Sequence, residues 1–252
     1  MLNITNLNAF FETEHILKDI SFNADLQSKI GIIGPNGSGK TTLLKSIAGI
    51  TPTKGEIYLN NQNLQKLKSH ERAKNIALLQ QTSQILFPFT IYETVMQGRY
   101  THQNQTFISK MSTDDKQIVE YWLNRTGLWK LRNRSIKQLS GGQLQRVFLA
   151  RVMVQEPNIV LLDEPTNHLD LKAQIELTEF LDEWKNEKPH RIVIGVFHDL
   201  NLALTFADQI IGLQNGNLVI NNKTNEINKK DLNDIFGIDL IKFMKNSLQY
   251  WL

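Results

Sequence analysis

The chain has 252 residues, 41% hydrophobic and 21% charged, with a net charge of +3; this is the make-up of an ordinary soluble globular chain, one large domain or a domain with an inserted subdomain. The weak positive charge is scattered, which argues against a nucleic-acid-binding role, and the absence of cysteine excludes disulfides, thiolate metal sites and cysteine nucleophiles together. No apolar run approaches a membrane span, and M-L-N-I-T-N-L-N-A-F-F lacks the cationic-then-apolar pattern of a signal peptide, so the expectation is a cytoplasmic chain that meets a membrane only through a partner.

Asn3 to Phe11 and Ile16 to Phe22 alternate apolar and polar around Glu12 to His15 and predict two antiparallel strands. Phe11 reads either as a core aromatic or as a platform on which an adenine stacks, and the residues leave both open. The apolar run Ile30 to Ile33 then meets I-I-G-P-N-G-S-G-K-T-T, Ile32 to Thr42, which opens a helix through Leu43, Leu44 and Ile47. Gly34, Gly37 and Gly39 let backbone amides curl around an anion with no side chain in the way. Lys40 can reach outer phosphates, the Thr41 hydroxyl can ligate magnesium, and the helix turns its positive end to the same anion. Every fixed position of G-x-x-x-x-G-K-[ST] is present, so the candidate phosphate-binding set is Gly34, Pro35, Asn36, Gly37, Ser38, Gly39, Lys40, Thr41 and Thr42.

Gly49 and T-P-T-K-G end that helix, Glu56 to Leu59 predicts a strand, and Asn60-Asn61 a tight turn. A strand-rich start of this kind implies a small antiparallel layer beside the phosphate-loop core. Ser69 is the expected N-cap of a short helix to Asn75, with Glu71 in its first turn, before the buried strand Ile76 to Leu79 delivers Gln80 and Gln81. The texture then changes: F-P-F-T at Phe87 to Thr90, a helical pattern through Tyr92, Val95 and Met96, a polar segment from Thr101 to Ser112, and a helix capped by Ser112 or Thr113 that stops at Gly127. Residues from about 83 to 157 are read as a helical subdomain inserted in a single domain spanning 1–252.

L-S-G-G-Q, Leu139 to Gln143, starts another helix, with Ser140 and Gln143 at capping-box spacing. Two glycines, Gly141 and Gly142, in a first turn cost on the order of 1 kcal/mol each against alanine, so something needs bare backbone there, and a phosphate is the simplest candidate. Ile159 to Leu162 predicts a central parallel strand ending in Asp163-Glu164-Pro165. Asp163 is the magnesium-side acid and Glu164 the residue placed to orient or deprotonate a water. A helix from Leu171 to Trp184 with an apolar face of Ile175, Leu177, Phe180, Leu181 and Trp184 follows, and Lys185 to Arg191 reads as a solvated turn. The next buried strand, Ile192 to Phe197, delivers His198-Asp199, where His198 is a candidate γ-phosphate contact. Ile210 to Leu213, Asn215-Gly216 and Leu218 to Ile220 predict a hairpin, and Leu232 to Phe236 a last helix. The histidines make no metal-ligand spacing.

These motifs together resemble the ATP-binding cassette (ABC) ATPases along essentially the whole chain. Gly34 to Thr41 matches Walker A, Gln81 the Q-loop glutamine, Leu139 to Gln143 the signature, Ile159 to Glu164 Walker B, His168-Leu169-Asp170 the D-loop, and His198 the switch histidine. Phe11 falls where the family places its adenine-stacking aromatic. Phe87 to Arg99 and Phe197 to Ala203 are similar to the importer ATPases for iron siderophores, haem and vitamin B12. Two departures stand out: Gln80 replaces a proline before the Q-loop, so the register can be read on either glutamine, and Gln27 stands where glycine is usual.

The resemblance implies an α/β fold with a RecA-like P-loop core, an N-terminal antiparallel layer and an inserted helical subdomain. It implies ATP and Mg²⁺ as cofactors, with Thr41, Gln81 and Asp163 on the metal, Glu164 as general base, and His198 and Gln81 sensing the γ-phosphate. Phe11, the Walker A loop, Ser140, Gly141, Gly142, Gln143 and Asp170 contact nucleotide, each ATP lying between the Walker A loop of one copy and Leu139 to Gln143 of another in a head-to-tail homodimer. The implied partners are permease subunits met through Phe87 to Arg99 and a separate solute-binding protein, at the cytoplasmic face of the cell membrane. An exporter ATPase is the nearer alternative, and a soluble non-transport cassette the more distant one.

Overall fold

The computed structural model describes residues 1–80, 87–102, 111–167, 169–239, 242 and 245. Gln81 and His168 lie outside them.

Strands β1 (Leu2–Phe11) and β2 (Glu14–Ala24) pair antiparallel from Leu2↔Ala24 to Phe11↔Glu14. Strand β4 (Thr53–Leu59) covers the other edge of β1 and turns through Asn60 and Asn61, both at positive φ, into β5 (Gln62–Asn63). This four-stranded layer lies against a six-stranded sheet of order β10-β9-β3-β8-β7-β6. In that sheet β3 (Lys29–Ile33), β6 (Ile76–Leu79), β7 (Ile159–Asp163), β8 (Ile192–Val196) and β9 (Gln209–Gln214) run parallel, and β10 (Asn217–Lys223) closes the edge antiparallel.

The unbroken apolar runs follow from burial on both faces. Ile30, Ile32, Ile159, Leu161, Ile192 and Ile194 pack towards the antiparallel layer together with Leu43, Leu44 and Ile47 of α1 (Lys40–Ile47). Their neighbours Val160, Leu162 and Val193 face a second core. Helices α3 (Ile91–Met96), α4 (Thr113–Arg125), α5 (Gly141–Met153), α6 (Leu171–Asn186), α7 (Leu200–Phe206) and α8 (Lys229–Phe236) build it. Thr90, Ser112 and Ser140 are N-caps, each hydroxyl accepting from the amide three residues on.

Several expectations are corrected. Ser69 is the first residue of α2 (Ser69–Asn75), not its cap; Lys68 holds that position, donating its amide to Glu71 Oε2 at 3.0 Å. Ile175 does not join the buried face of α6: it is 49% exposed, because only the stripe through Leu177, Leu181 and Trp184 is covered. Helix α6 continues to Asn186, and Arg191 is no part of a solvated turn. It is buried, donates to the Trp184 carbonyl and to Glu187, and lies 4.3 Å over the Trp184 ring. Helix α7 was not anticipated; its signal is Asp199, which caps it, followed by Leu200, Ala203 and Phe206 at helical spacing. Gln27 sits at φ 56°, a left-handed conformation that explains why glycine is the easier residue there.

Candidate active site at the carboxyl edge of the parallel sheet

Because β3, β8 and β7 are parallel neighbours, their carboxyl ends emerge side by side, carrying Gly34, His198 and Asp163-Glu164. Gly34 adopts φ 147°, and a Cβ there would sit 2.1 Å from the Leu213 carbonyl oxygen, so no larger residue can begin the loop. Gly37 has φ 77° with open space where its Cβ would be, which suits the approach of a ligand to its backbone. Gly39 holds the left-handed position that starts α1. The Ser38 hydroxyl is buried in this loop, with no hydrogen-bond partner among the described residues.

Lys40 folds back over the loop and donates to the Gly34 and Pro35 carbonyls at 2.8 and 2.9 Å. Burial lowers its pKa, and the nearby carboxylates of Glu164 and Asp163 pull it back up. Thr41 Oγ1 donates to Asp163 Oδ1 at 2.9 Å. Burial raises the Asp163 pKa; the Thr41 hydrogen bond opposes this, the Glu164 charge adds to it, and Lys45 and Lys40 oppose it. Glu164 sits at φ 53° with its carboxylate held from both sides: His198 Nε2 lies 2.5 Å from Oε1, and Asn167 Nδ2 donates to Oε2 at 2.5 Å. Non-glycine backbone in that region stores strain, and such strain concentrates at functional sites. Asn167 was not foreseen, although its place three residues after Glu164 allows the contact. The donor set fits phosphate and magnesium: amides and lysine for the anion, a hydroxyl and a carboxylate oxygen for a hard cation.

The signature residues form a second constellation. Ser140 Oγ accepts from the Gln143 amide at 3.3 Å, and Gln143 Oε1 accepts from the Ser140 amide at 3.1 Å, completing the capping box. A Cβ on Gly141 would meet nothing within 4 Å among the described residues, and one on Gly142 only Leu169 at 4.0 Å. Packing against the described residues therefore does not require either glycine. Ser140, Gly142, Gln143 and Asp170 line one cavity of about 720 Å³ between α5 and α6, and none of Lys40, Thr41, Asp163, Glu164 or His198 reaches it. Asp170 caps α6, its Oδ1 accepting from the Ala173 amide at 2.8 Å. Phe11 is 69% exposed at the tip of β1, which rules out the core reading. Strand β6, parallel to β7, ends on the same edge as Asp163, but Gln81 itself is outside the described residues.

A glycine-cradled loop between strand and helix, with a lysine over it and an acid pair two strands away, defines a P-loop nucleotide-binding protein. Residues 17–167 match the ABC transporter family profile. The petrobactin import ATP-binding protein FpuD of Bacillus anthracis is 39% identical over 209 residues, covering 82% of this chain and 76% of that protein. The hemin import ATP-binding protein HmuV of Bradyrhizobium diazoefficiens is 35% identical over 231 residues, covering 88% and 82%. An inward-facing metal-chelate-type ABC transporter superposes with a TM-score of 0.79 at 26% identity, covering 94% of this chain and 88% of the other. The chain belongs to the ABC transporter family, and it is an ATPase coupled to transport.

Proposed function

We propose that residues 1–252 form one cassette, with residues 83–157 inserted as a helical subdomain, and that it energises import of an iron chelate, haem or a cobalamin-like molecule through a separate permease. Lys40 and the loop amides from Gly34 to Thr42 hold the ATP phosphates, and Phe11 offers its exposed ring to the adenine. Thr41, Asp163 and Gln81 would hold magnesium, which when bound would neutralise phosphate charge. Glu164 takes the proton of the attacking water at its carboxylate, which Asn167 and His198 orient. His198 contacts the γ-phosphate from the end of β8, with Gln81 as the second sensor.

Ser140, Gly141, Gly142, Gln143 and Asp170 serve the ATP of a second copy. The bare backbone of Gly141 and Gly142, unexplained by packing against the described residues, supports a head-to-tail homodimer in which each ATP joins two half-sites. The observation that carries the import reading is the segment Phe87 to Arg99. Phe87 and Phe89 are 62% and 40% exposed, with ring centroids 5.8 Å apart, and form an aromatic surface suited to a protein partner. Among the described residues no helix is long and apolar enough to cross a membrane, which is consistent with attachment at the cytoplasmic face through the permease. An extracytoplasmic solute-binding protein completes the system.

The test is to capture the tagged chain from detergent-solubilised membranes of its host and assay ATPase activity on what co-purifies. A multi-span permease whose binding protein and cargo raise the ATPase rate supports import and names the cargo. A permease that moves cargo outward supports the exporter alternative, and ribosomes or repair proteins in its place overturn transport.

A further inference from the structure

The Gly98-Arg99 pair has no part in the nucleotide chemistry, yet it is among the most constrained points of the helical region. The segment Gln97–His102 leaves the end of α3 as a tight 3-10 turn. A Cβ on Gly98 would lie 2.2 Å from the Arg151 carbonyl and 2.5 Å from the Val154 side chain, so the turn presses backbone to backbone on the last turn of α5. Arg99 is 6% exposed and ties its own turn to two other segments, α4 and the end of α5. Its Nε donates to Asp115 Oδ1 at 2.8 Å, on α4. Its Nη1 donates to the Val154 carbonyl at 2.6 Å, at the end of α5, and to Glu156 Oε2 at 2.9 Å. Ser112 fixes the other Asp115 oxygen at 2.8 Å, and His102 Nε2 is 2.8 Å from the Gln155 carbonyl. A buried guanidinium with this many anchors is held in one geometry.

The far end of α5 carries Ser140, Gly141 and Gly142. A 13-residue helix spans about 20 Å at 1.5 Å per residue, and its interior is packed against α3. We infer that Arg99, with Gly98, is a positioning residue that makes the 97–102 turn and helix α5 one mechanical unit, so that movement of the Ser140–Gly142 end on nucleotide binding reaches the exposed aromatics Phe87, Phe89 and Tyr100. Asp115, Glu156 and the Val154 carbonyl are the anchors of this joint. The inference rests on the reading of Phe87 to Arg99 as a partner surface and adds how the nucleotide state arrives there.

The experiment is amide hydrogen exchange of the full chain in a Glu164→Gln background, with and without Mg-ATP. In that parent, ATP slows exchange in peptides over 34–42, the start of α5 and residues 97–102 together, roughly tenfold at the turn. Adding Arg99→Lys, which keeps the charge but loses the forked contacts, leaves the response at 34–42 and at the start of α5 and cuts that at 97–102 to under about twofold. Asp115→Asn does the same, because one amide cannot accept from Arg99 at one end and from the Ser112 amide and hydroxyl at the other, whereas Glu156→Gln, half exposed and bonded to Arg99 through a single oxygen, retains the response. A joint that served only stability would raise exchange equally with and without ATP, and an unchanged ATP response at 97–102 in both Arg99→Lys and Asp115→Asn overturns the inference. Absence of any response at 34–42 in the parent overturns the ATP site and the inference with it. Failure of the partner reading shows separately, as no permease captured from membranes by a chain whose exchange coupling is intact.

Discussion

Burial disfavours the charged form of Asp163, while its hydrogen bond from Thr41 keeps its oxygen aimed at the loop. Asp163→Asn keeps that acceptor and removes the buried charge. It is expected to raise the melting temperature by about 2–4 °C while abolishing Mg-dependent ATP hydrolysis, the exchange of stability for function usual at such sites. Calorimetry with a phosphate-release assay checks both halves, and a lower melting temperature would count against the reading that burial disfavours the Asp163 charge. Glu164→Gln retains ATP but slows hydrolysis about 10²- to 10⁴-fold, the worth of a general base; turnover near that of the wild type would remove Glu164 from that role. Most members of this site were legible as single residues because a short run of sequence carries their chemistry. Asn167 was missed because nothing marks an asparagine in a turn as a carboxylate holder until the turn geometry is known.

At the scale of elements, the signature helix separates packing from function. The space beside Gly142 admits a methyl group, so Gly142→Ala should stabilise the isolated chain by up to about 1 kcal/mol and, on the proposed reading that a phosphate approaches there, depress ATPase activity. Loss of stability would mean that the glycine serves packing after all. The Arg99 joint has a pH signature. Burial tends to raise the Asp115 pKa, but hydrogen bonds from Arg99 and Ser112 outweigh it and hold the carboxyl below its ordinary value. A depressed folded-state pKa means that the unfolded chain binds more protons as pH falls, so this contribution is full above about pH 4 and is lost on further acidification. The stability gap between wild type and Asp115→Asn should therefore close below that pH in denaturant titrations; a gap constant down to pH 2 would contradict the pairing. Strands β3, β7 and β8 were readable because burial on both faces leaves an uninterrupted apolar run. Ile175 and Arg191 were misread because apolar spacing says which face a helix can bury, not how wide the covered stripe is, and a charged residue in a turn looks solvated until its acceptors are in place.

For the molecule as a whole, the residues proposed to face nucleotide fall into two groups that do not meet among the described residues of one chain. The phosphate loop and acid pair share the strand edge, and Ser140, Gly142, Gln143 and Asp170 share a different cavity. Two copies related by a two-fold axis would bring each group to the other. In the Glu164→Gln background, ATP should shift the chain from monomer to dimer in light scattering. Ser140→Arg should block that shift while leaving ATP binding intact. A dimer that forms regardless would place the interface elsewhere.

By itself, the sequence determined the phosphate loop, the signature capping box, the acid pair at a strand end and the two hairpins, because each rests on interactions among residues a few positions apart, and the fold class followed from the resemblance these motifs carry. Only the tertiary structure decided that β8 lies between β3 and β7, so that His198 reaches Glu164 across the sheet edge. It also decided that Arg99 ties α4 to the carboxyl-terminal end of α5. Strand order and buried side-chain anchors come from pairings between residues tens of positions apart, and no local pattern encodes which of the possible partners is chosen.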